Sequence, residues 1–166
     1  MPISAKIERF FRVSDPEALG LTHVADPSLV HSLGLSKLTL TPTSTPAAIS
    51  TVWSKRVQLS AGTLTLALDA LSRGSELSAL DLTGLKVQAV QIFCPSTNTD
   101  AVLVEEAAVN GYGIFGAATA EVSIAPGGMV TFYNPEGNED VGATESDLDL
   151  TSPDVDADVD ILLVAG

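Results

Sequence analysis

From Trp53 to its carboxyl end the chain breaks its pattern roughly every ten residues, and this spacing constrains the fold more than any other feature. Clusters of Gly, Pro, Asn and Asp separate short runs in which apolar and polar residues alternate, as they do on strands with one buried face. Val57 and Leu59 lead to Ala61-Gly62, after which Leu64, Leu66 and Leu68 alternate with Thr63, Thr65 and Ala67. Leu77, Leu80 and Leu82 precede Thr83-Gly84, and the most apolar run, Leu85 to Phe93, is expected to lie centrally and to end at Pro95-Ser96-Thr97-Asn98. Further strands are predicted at Ala101 to Glu105, Glu121 to Ile124, Met129 to Tyr133, Asp147 to Leu150 and Val155 to Val164, with Ala125-Pro126-Gly127-Gly128 as a specific turn signal. No helical period separates these runs, so a parallel sheet would lack its crossover helices. The expectation is an all-β fold, an antiparallel β-sandwich or barrel.

The amino-terminal third has a different texture. Residues 1 to 55 read as an irregular arm and attachment segment, ahead of a sandwich domain over residues 56 to 166. Within the arm, Ile3, Ala5 and Ile7 alternate with Ser4, Lys6 and Glu8 as in a short strand, although Lys6 to Val13 also suits a helical turn or two. Asp15-Pro16 and Asp26-Pro27 break the chain, and short helical turns are expected at Pro16 to Leu19 and Ser28 to Leu33, capped by those aspartates. Ser36 to Leu40 alternates as a strand, and Thr41 to Thr51 is an extended Pro- and Thr-containing stretch.

Composition supports one packed domain. The chain has 166 residues, 45% hydrophobic and 17% charged, enough to bury a core without disulfides. Its one cysteine, Cys94, follows Val90, Ile92 and Phe93 and is expected to be a small core residue. No apolar run is long enough to span a bilayer and the start MPISAKIERFF lacks the apolar core of a secretory signal, so a soluble, unprocessed protein is expected. The net charge of −13 is unevenly spread. Lys6, Arg9, Arg12, Lys37, Lys55 and Arg56 against four acids give residues 1 to 56 a charge of +2, whereas residues 57 to 166 set seventeen acids against Arg73 and Lys86, a charge of −15. Such a surface repels nucleic acid and anionic membrane, so neither is expected as a partner.

Signs of catalysis are sparse, and no catalytic residue, cofactor or enzymatic activity is expected. His23 and His31 are the two histidines, both in the irregular arm and without the context of a nucleophile or an orienting group. Gly111-Tyr112-Gly113-Ile114-Phe115-Gly116 spells GxGxxG, but no helix follows it, so a tight bend with close backbone approach is expected in place of a dinucleotide site. Glu105 and Glu106 are adjacent and would face opposite sides of a strand. Trp53, Tyr112 and Tyr133 are too scattered to form a sugar platform. Asp154, Asp156, Asp158 and Asp160 alternate with Val155, Ala157 and Val159, which predicts one wet and one buried strand face. These four aspartates are weak metal candidates, because carboxylates two apart on a strand lie about 7 Å from one another. The favoured reading is a solvated acidic face.

The turns and strands from about residue 55 onward resemble a recurring type of small virion protein from tailed bacteriophages. The resemblance runs through Asp81-Leu82-Thr83-Gly84-Leu85-Lys86-Val87, Asn98, Asn110-Gly111-Tyr112 before Gly116, Pro126-Gly127-Gly128, Leu148-Asp149-Leu150-Thr151, and the terminal Ile161-Leu162-Leu163-Val164-Ala165-Gly166. It implies a jelly-roll-like sandwich acting as a capsid decoration, or cement, protein on the capsid surface of a virion, made in the host cytoplasm. It also implies a homotrimer bound to the major capsid protein. A tail or fibre module that binds a host receptor or glycan is the alternative. On the cement reading, Lys6, Arg9, Arg12, Lys37, Lys55 and Arg56 are expected to meet the partner, and an ordinary mixed, solvated surface is the competing reading of the same cations.

Overall fold

A computed structural model describes residues 50–72, 79–115, 120–134, 136 and 139–166, together with four short strands nearer the amino terminus. These four are β1 (Ala5–Ile7), β2 (Arg12–Val13), β3 (Leu29–Val30) and β4 (Leu38–Leu40). β1 pairs antiparallel with β4, and β2 with β3. A strand at Leu29–Val30 replaces part of the helical turn expected over residues 28–33, because pairing with Arg12–Val13 supplies backbone partners that a single capped turn could not. The turn expected over residues 16–19 lies outside the described residues, as do His23 and His31.

Eight strands follow: β5 (Thr51–Gln58), β6 (Thr63–Ala67), β7 (Val87–Phe93), β8 (Val102–Glu106), β9 (Glu121–Ile124), β10 (Met129–Tyr133), β11 (Asp147–Thr151) and β12 (Asp158–Ala165). They form two four-stranded antiparallel sheets, ordered β10-β7-β12-β5 and β6-β11-β8-β9. The described residues contain no helix, and the two sheets face each other as a β-sandwich. The pairing is nested: β5 pairs with β12, β6 with β11, β7 with β10, and β8 with β9. The outermost strands in sequence therefore meet, and each successive pair lies inside the last.

One contiguous core closes between the sheets. Its members come from both inner faces, with Val159, Ile161, Leu163 and Val90, Ile92 from one sheet and Leu66, Val102, Val104, Leu148 and Leu150 from the other. β7 is the apolar central strand that its composition predicts, flanked by β10 and β12. Cys94 is a fully buried free thiol, as expected of a small core residue. At the other end of β7, Tyr112 is fully buried; its hydroxyl accepts from the Val87 N–H at 3.1 Å and donates to the Glu139 carbonyl at 2.8 Å. Burial raises the pKa of that phenol, so it stays neutral and able to donate well above neutral pH.

Turn chemistry sets the corners. Ala61 and Gly62 both have positive φ, and a Cβ on Gly62 would run into the Ser152 carbonyl oxygen, so the β5–β6 corner is held tightly against the segment before β12. Pro126-Gly127-Gly128 forms the turn its sequence predicts, with the Gly127 N–H donating to the Cys94 carbonyl at 2.8 Å. That turn does not close a two-stranded hairpin. β9 pairs with β8 in one sheet and β10 with β7 in the other, so the glycines carry the chain across the sandwich.

Candidate partner-binding edge

Two of the six cations expected to meet a partner lie within the described core region, and both are on β5. Lys6 and Arg12 fall within β1 and β2, while Arg9 and Lys37 lie outside the described residues. Among the described residues β5 is an edge strand, paired only with β12. Its alternation sends Trp53, Lys55 and Val57 toward the interior, opposite Leu163, Ile161 and Val159, and sends Val52, Ser54, Arg56 and Gln58 outward.

Lys55 and Arg56 therefore sit in different settings. Arg56 makes a two-pronged contact with Asp160 across the β5–β12 pair, Nε to Oδ1 at 2.6 Å and Nη2 to Oδ2 at 2.7 Å. Lys55 points into the opening between the two sheets, where its Nζ donates to the Ser72 hydroxyl at 2.9 Å. Beside it, the indole N–H of Trp53 donates to the Ser72 carbonyl at 3.0 Å. Below them, β5 and β6 diverge around a cavity of about 400 Å³, with apolar walls that include Trp53, Val57, Leu64, Leu66 and Leu71.

The outer faces of the two sheets differ in charge. On the β6-β11-β8-β9 sheet, Asp149, Glu105 and Glu121 stand in one cross-strand row, with Asp147 two residues along β11. Thr65 donates its hydroxyl to Asp149 at 2.6 Å, and no cation faces the row among the described residues. Like charges directly opposite one another oppose pairing, so this face is suited to water. The outer face of the other sheet has Phe93, Leu162 and Met129 beside the Arg56–Asp160 pair, with Met129 59% exposed.

The alternating aspartates do not line one strand face. β12 begins only at Asp158, and the preceding residues bend: Ser152 Oγ accepts from the Asp154 N–H at 3.1 Å, and Asp154 Oδ1 accepts from the Asp156 N–H at 3.3 Å. These local side-chain contacts, next to Pro153, compete successfully with the strand. Val155 consequently lies 55% exposed and not in the core, while Ala157 and Val159 are buried. Asp154 Oδ2 also accepts from the Thr99 N–H at 2.9 Å, and the Asn98 side chain clasps Asp158 by accepting from its N–H at 3.0 Å and donating to its carbonyl at 2.8 Å. The run thus anchors the loop after β7 to the start of β12. No group of three or more His, Cys, Asp or Glu side chains placed to hold a metal ion occurs among the described residues.

Hydrogen bonds from Arg56 to Asp160, and from the Thr99 backbone to Asp154, hold both carboxyls below their ordinary pKa. A depressed folded pKa adds stability that is complete above the unfolded value near pH 4 and fades as pH falls through the folded value. Urea midpoints are therefore expected to fall between pH 6 and pH 3, and the Asp160→Asn variant should show a smaller fall. Both groups are exposed, so the change is modest.

Residues 111–115 of the GxGxxG segment form a bend, and Gly116 lies outside the described residues. Gly111 bridges to Asp147, and the Tyr112 and Ile114 N–H groups are taken by the carbonyls of Asp147 and Tyr112. The hydroxyl of Tyr112 and the cleft beside Lys55 were not signalled by the sequence, since both depend on which strands meet at long range. Comparison with known proteins returns no matching family model and no matching curated protein.

Proposed function

We propose that the protein is a non-enzymatic virion structural protein, a capsid decoration protein whose sandwich is a jelly roll. On this reading it sits on a phage head as a homotrimer bound to the major capsid protein. The observation that carries the reading is the nested pairing of β5 with β12, β6 with β11, β7 with β10 and β8 with β9, split between sheets ordered β10-β7-β12-β5 and β6-β11-β8-β9. An antiparallel ribbon folded over itself gives this order, an architecture used by viral capsid and lectin domains.

The charge distribution supports a protein with one side turned to solvent. The row of Asp149, Glu105 and Glu121 favours water, whereas the opposite outer face, with Arg56 set against Asp158 and Asp160, is less charged and partly apolar, as suits a surface between copies. Among the residues whose burial is described, the core is drawn from Trp53 onward; residues 1–49, in which four cations balance four acids, lack the strong negative charge of the rest of the chain, as suits an attachment arm.

The test uses shells assembled from the major capsid protein of the same genome, mixed with full-length protein or with residues 50–166. Full-length protein is expected to be a trimer in solution and to co-sediment with shells; residues 50–166 should keep a β-type circular dichroism spectrum and lose at least tenfold in shell affinity. Absence of shell binding by the full-length protein, together with a signal on a glycan array, would replace this reading with that of a receptor-binding tail module. Equal binding by the truncated protein would remove the arm from the mechanism.

A further inference from the structure

We propose that the open edge of β5, together with the cleft beneath it, is a strand-accepting site for an extended segment of a partner protein with apolar side chains at alternate positions and a carboxylate that meets Lys55. The inference concerns the β5 side of the sandwich alone and holds whether or not the protein belongs to a capsid.

Backbone geometry supplies the first part. The Leu59 N–H donates to the Ala157 carbonyl at 2.8 Å, which fixes the phase of the β5–β12 ladder. In an antiparallel pair the inward-bonding residues alternate, so Val57, Lys55 and Trp53 bond to β12 and the N–H and C=O groups of Val52, Ser54, Arg56 and Gln58 point away from it. Those outward groups have no hydrogen-bond partner among the described residues. At eight residues β5 is also the longest of the four edge strands of the sandwich, the others having four or five.

Side chains supply the second part. A strand added to β5 would turn every other side chain toward the space between the sheets, which here is the cavity of about 400 Å³ walled by Trp53, Leu64 and Leu71. Main-chain bonds then give affinity, and the cleft selects apolar residues at alternate positions.

Charge supplies the third. Lys55 stands in the wall of this apolar cleft, bonded to the Ser72 hydroxyl and to no carboxylate among the described residues. An incoming strand that brought only apolar groups would bury that ammonium without a counter-ion, whereas one carrying a carboxylate at the matching position would pair with it. The same lysine argues against a second copy as occupant, since antiparallel β5–β5 pairing would bring two Lys55 ammonium groups and two Arg56 side chains close together.

The test uses an acetylated octapeptide in which Thr alternates with Val and one central Val is replaced by Glu. Trp53 is the only tryptophan of the chain and lines the cleft, so its fluorescence reports occupancy directly. Peptide binding is expected to shift Trp53 emission and to move the amide resonances of Val52, Ser54, Arg56 and Gln58. Ser54→Pro deletes one outward donor without removing a β12 bond and should abolish both effects. Thr131→Pro deletes an outward donor at the opposite edge of the same sheet and should leave binding unchanged. Replacing the peptide's Glu by Gln should weaken binding about tenfold, and Lys55→Glu should reverse the preference toward a peptide carrying Lys, which tests the site even if the proline variant fails to fold. No response up to about 1 mM peptide, undiminished binding by a folded Ser54→Pro protein, or an unchanged peptide preference in Lys55→Glu would overturn the proposal. So would a wild-type oligomer that Ser54→Pro dissolves, because the edge would then belong to a second copy.

Discussion

Replacing Leu163 by Ala is expected to cost about 3–4 kcal/mol of stability, whereas the same change at its neighbour Leu162 should cost less than about 1 kcal/mol. Leu163 is fully buried on β12, which lies between β5 and β7, while Leu162 is 38% exposed on the outer face. Truncation at Leu163 removes three carbons from the space between Trp53, Val90 and the opposite sheet, and flanking strands fixed by ladders on both sides of β12 cannot collapse into the void. For a chain of this size the loss corresponds to a fall of about 10 °C in Tm. Urea denaturation of the two variants measures the difference. Equal costs would mean that β12 runs one residue out of register, because a one-residue slip exchanges the two faces of a strand.

The register of β12 also shows how far the sequence could be read. Alternation correctly marks Ala157 and Val159 as inward, and punctuation by Pro126-Gly127-Gly128 gives the bounds of β9 and β10. It fails where local hydrogen bonding competes with the period. Asp154 and Asp156 continue the alternation of Asp158 and Asp160, yet the Ser152 hydroxyl and the Asp154 carboxylate turn the backbone before β12 begins. Spacing does not reveal which strands are neighbours, since β5 and β12 meet across about a hundred residues of chain. The cleft between β5 and β6, the buried bonds of Tyr112 and the row of Asp149, Glu105 and Glu121 all follow from such long-range pairing. Lys55 and Arg56 were legible as cations but not as an inward and an outward residue, because no alternation of apolar residues marks that part of β5.

Among the glycines of the GxGxxG segment, Gly111→Ala is expected to cost about 2–3 kcal/mol and Gly113→Ala less than about 1 kcal/mol. The two differ in what a methyl group would meet. At Gly111 an added Cβ would overlap the backbone carbonyl oxygen of Ala107 and lie 2.5 Å from Cγ of Glu106, so relief requires the end of β8 to move. At Gly113 the nearest atom is Oε1 of Glu139, at 3.0 Å, on an exposed and flexible side chain that can swing away. Movement at Gly111 propagates, because the adjacent Tyr112 N–H is bonded to the Asp147 carbonyl at 2.8 Å and the Tyr112 hydroxyl fixes the start of β7. The bend therefore joins β8, β11 and β7 through one residue without a side chain. Thermal unfolding of the two alanine variants distinguishes this role from that of a phosphate-binding loop. A loop that cradles phosphate needs its glycines for close approach of a ligand, so both variants would then keep wild-type stability without ligand and fail only when nucleotide is added. Steric closure predicts the opposite: an early transition in Gly111→Ala, a nearly unchanged one in Gly113→Ala, and no dependence of either on nucleotide.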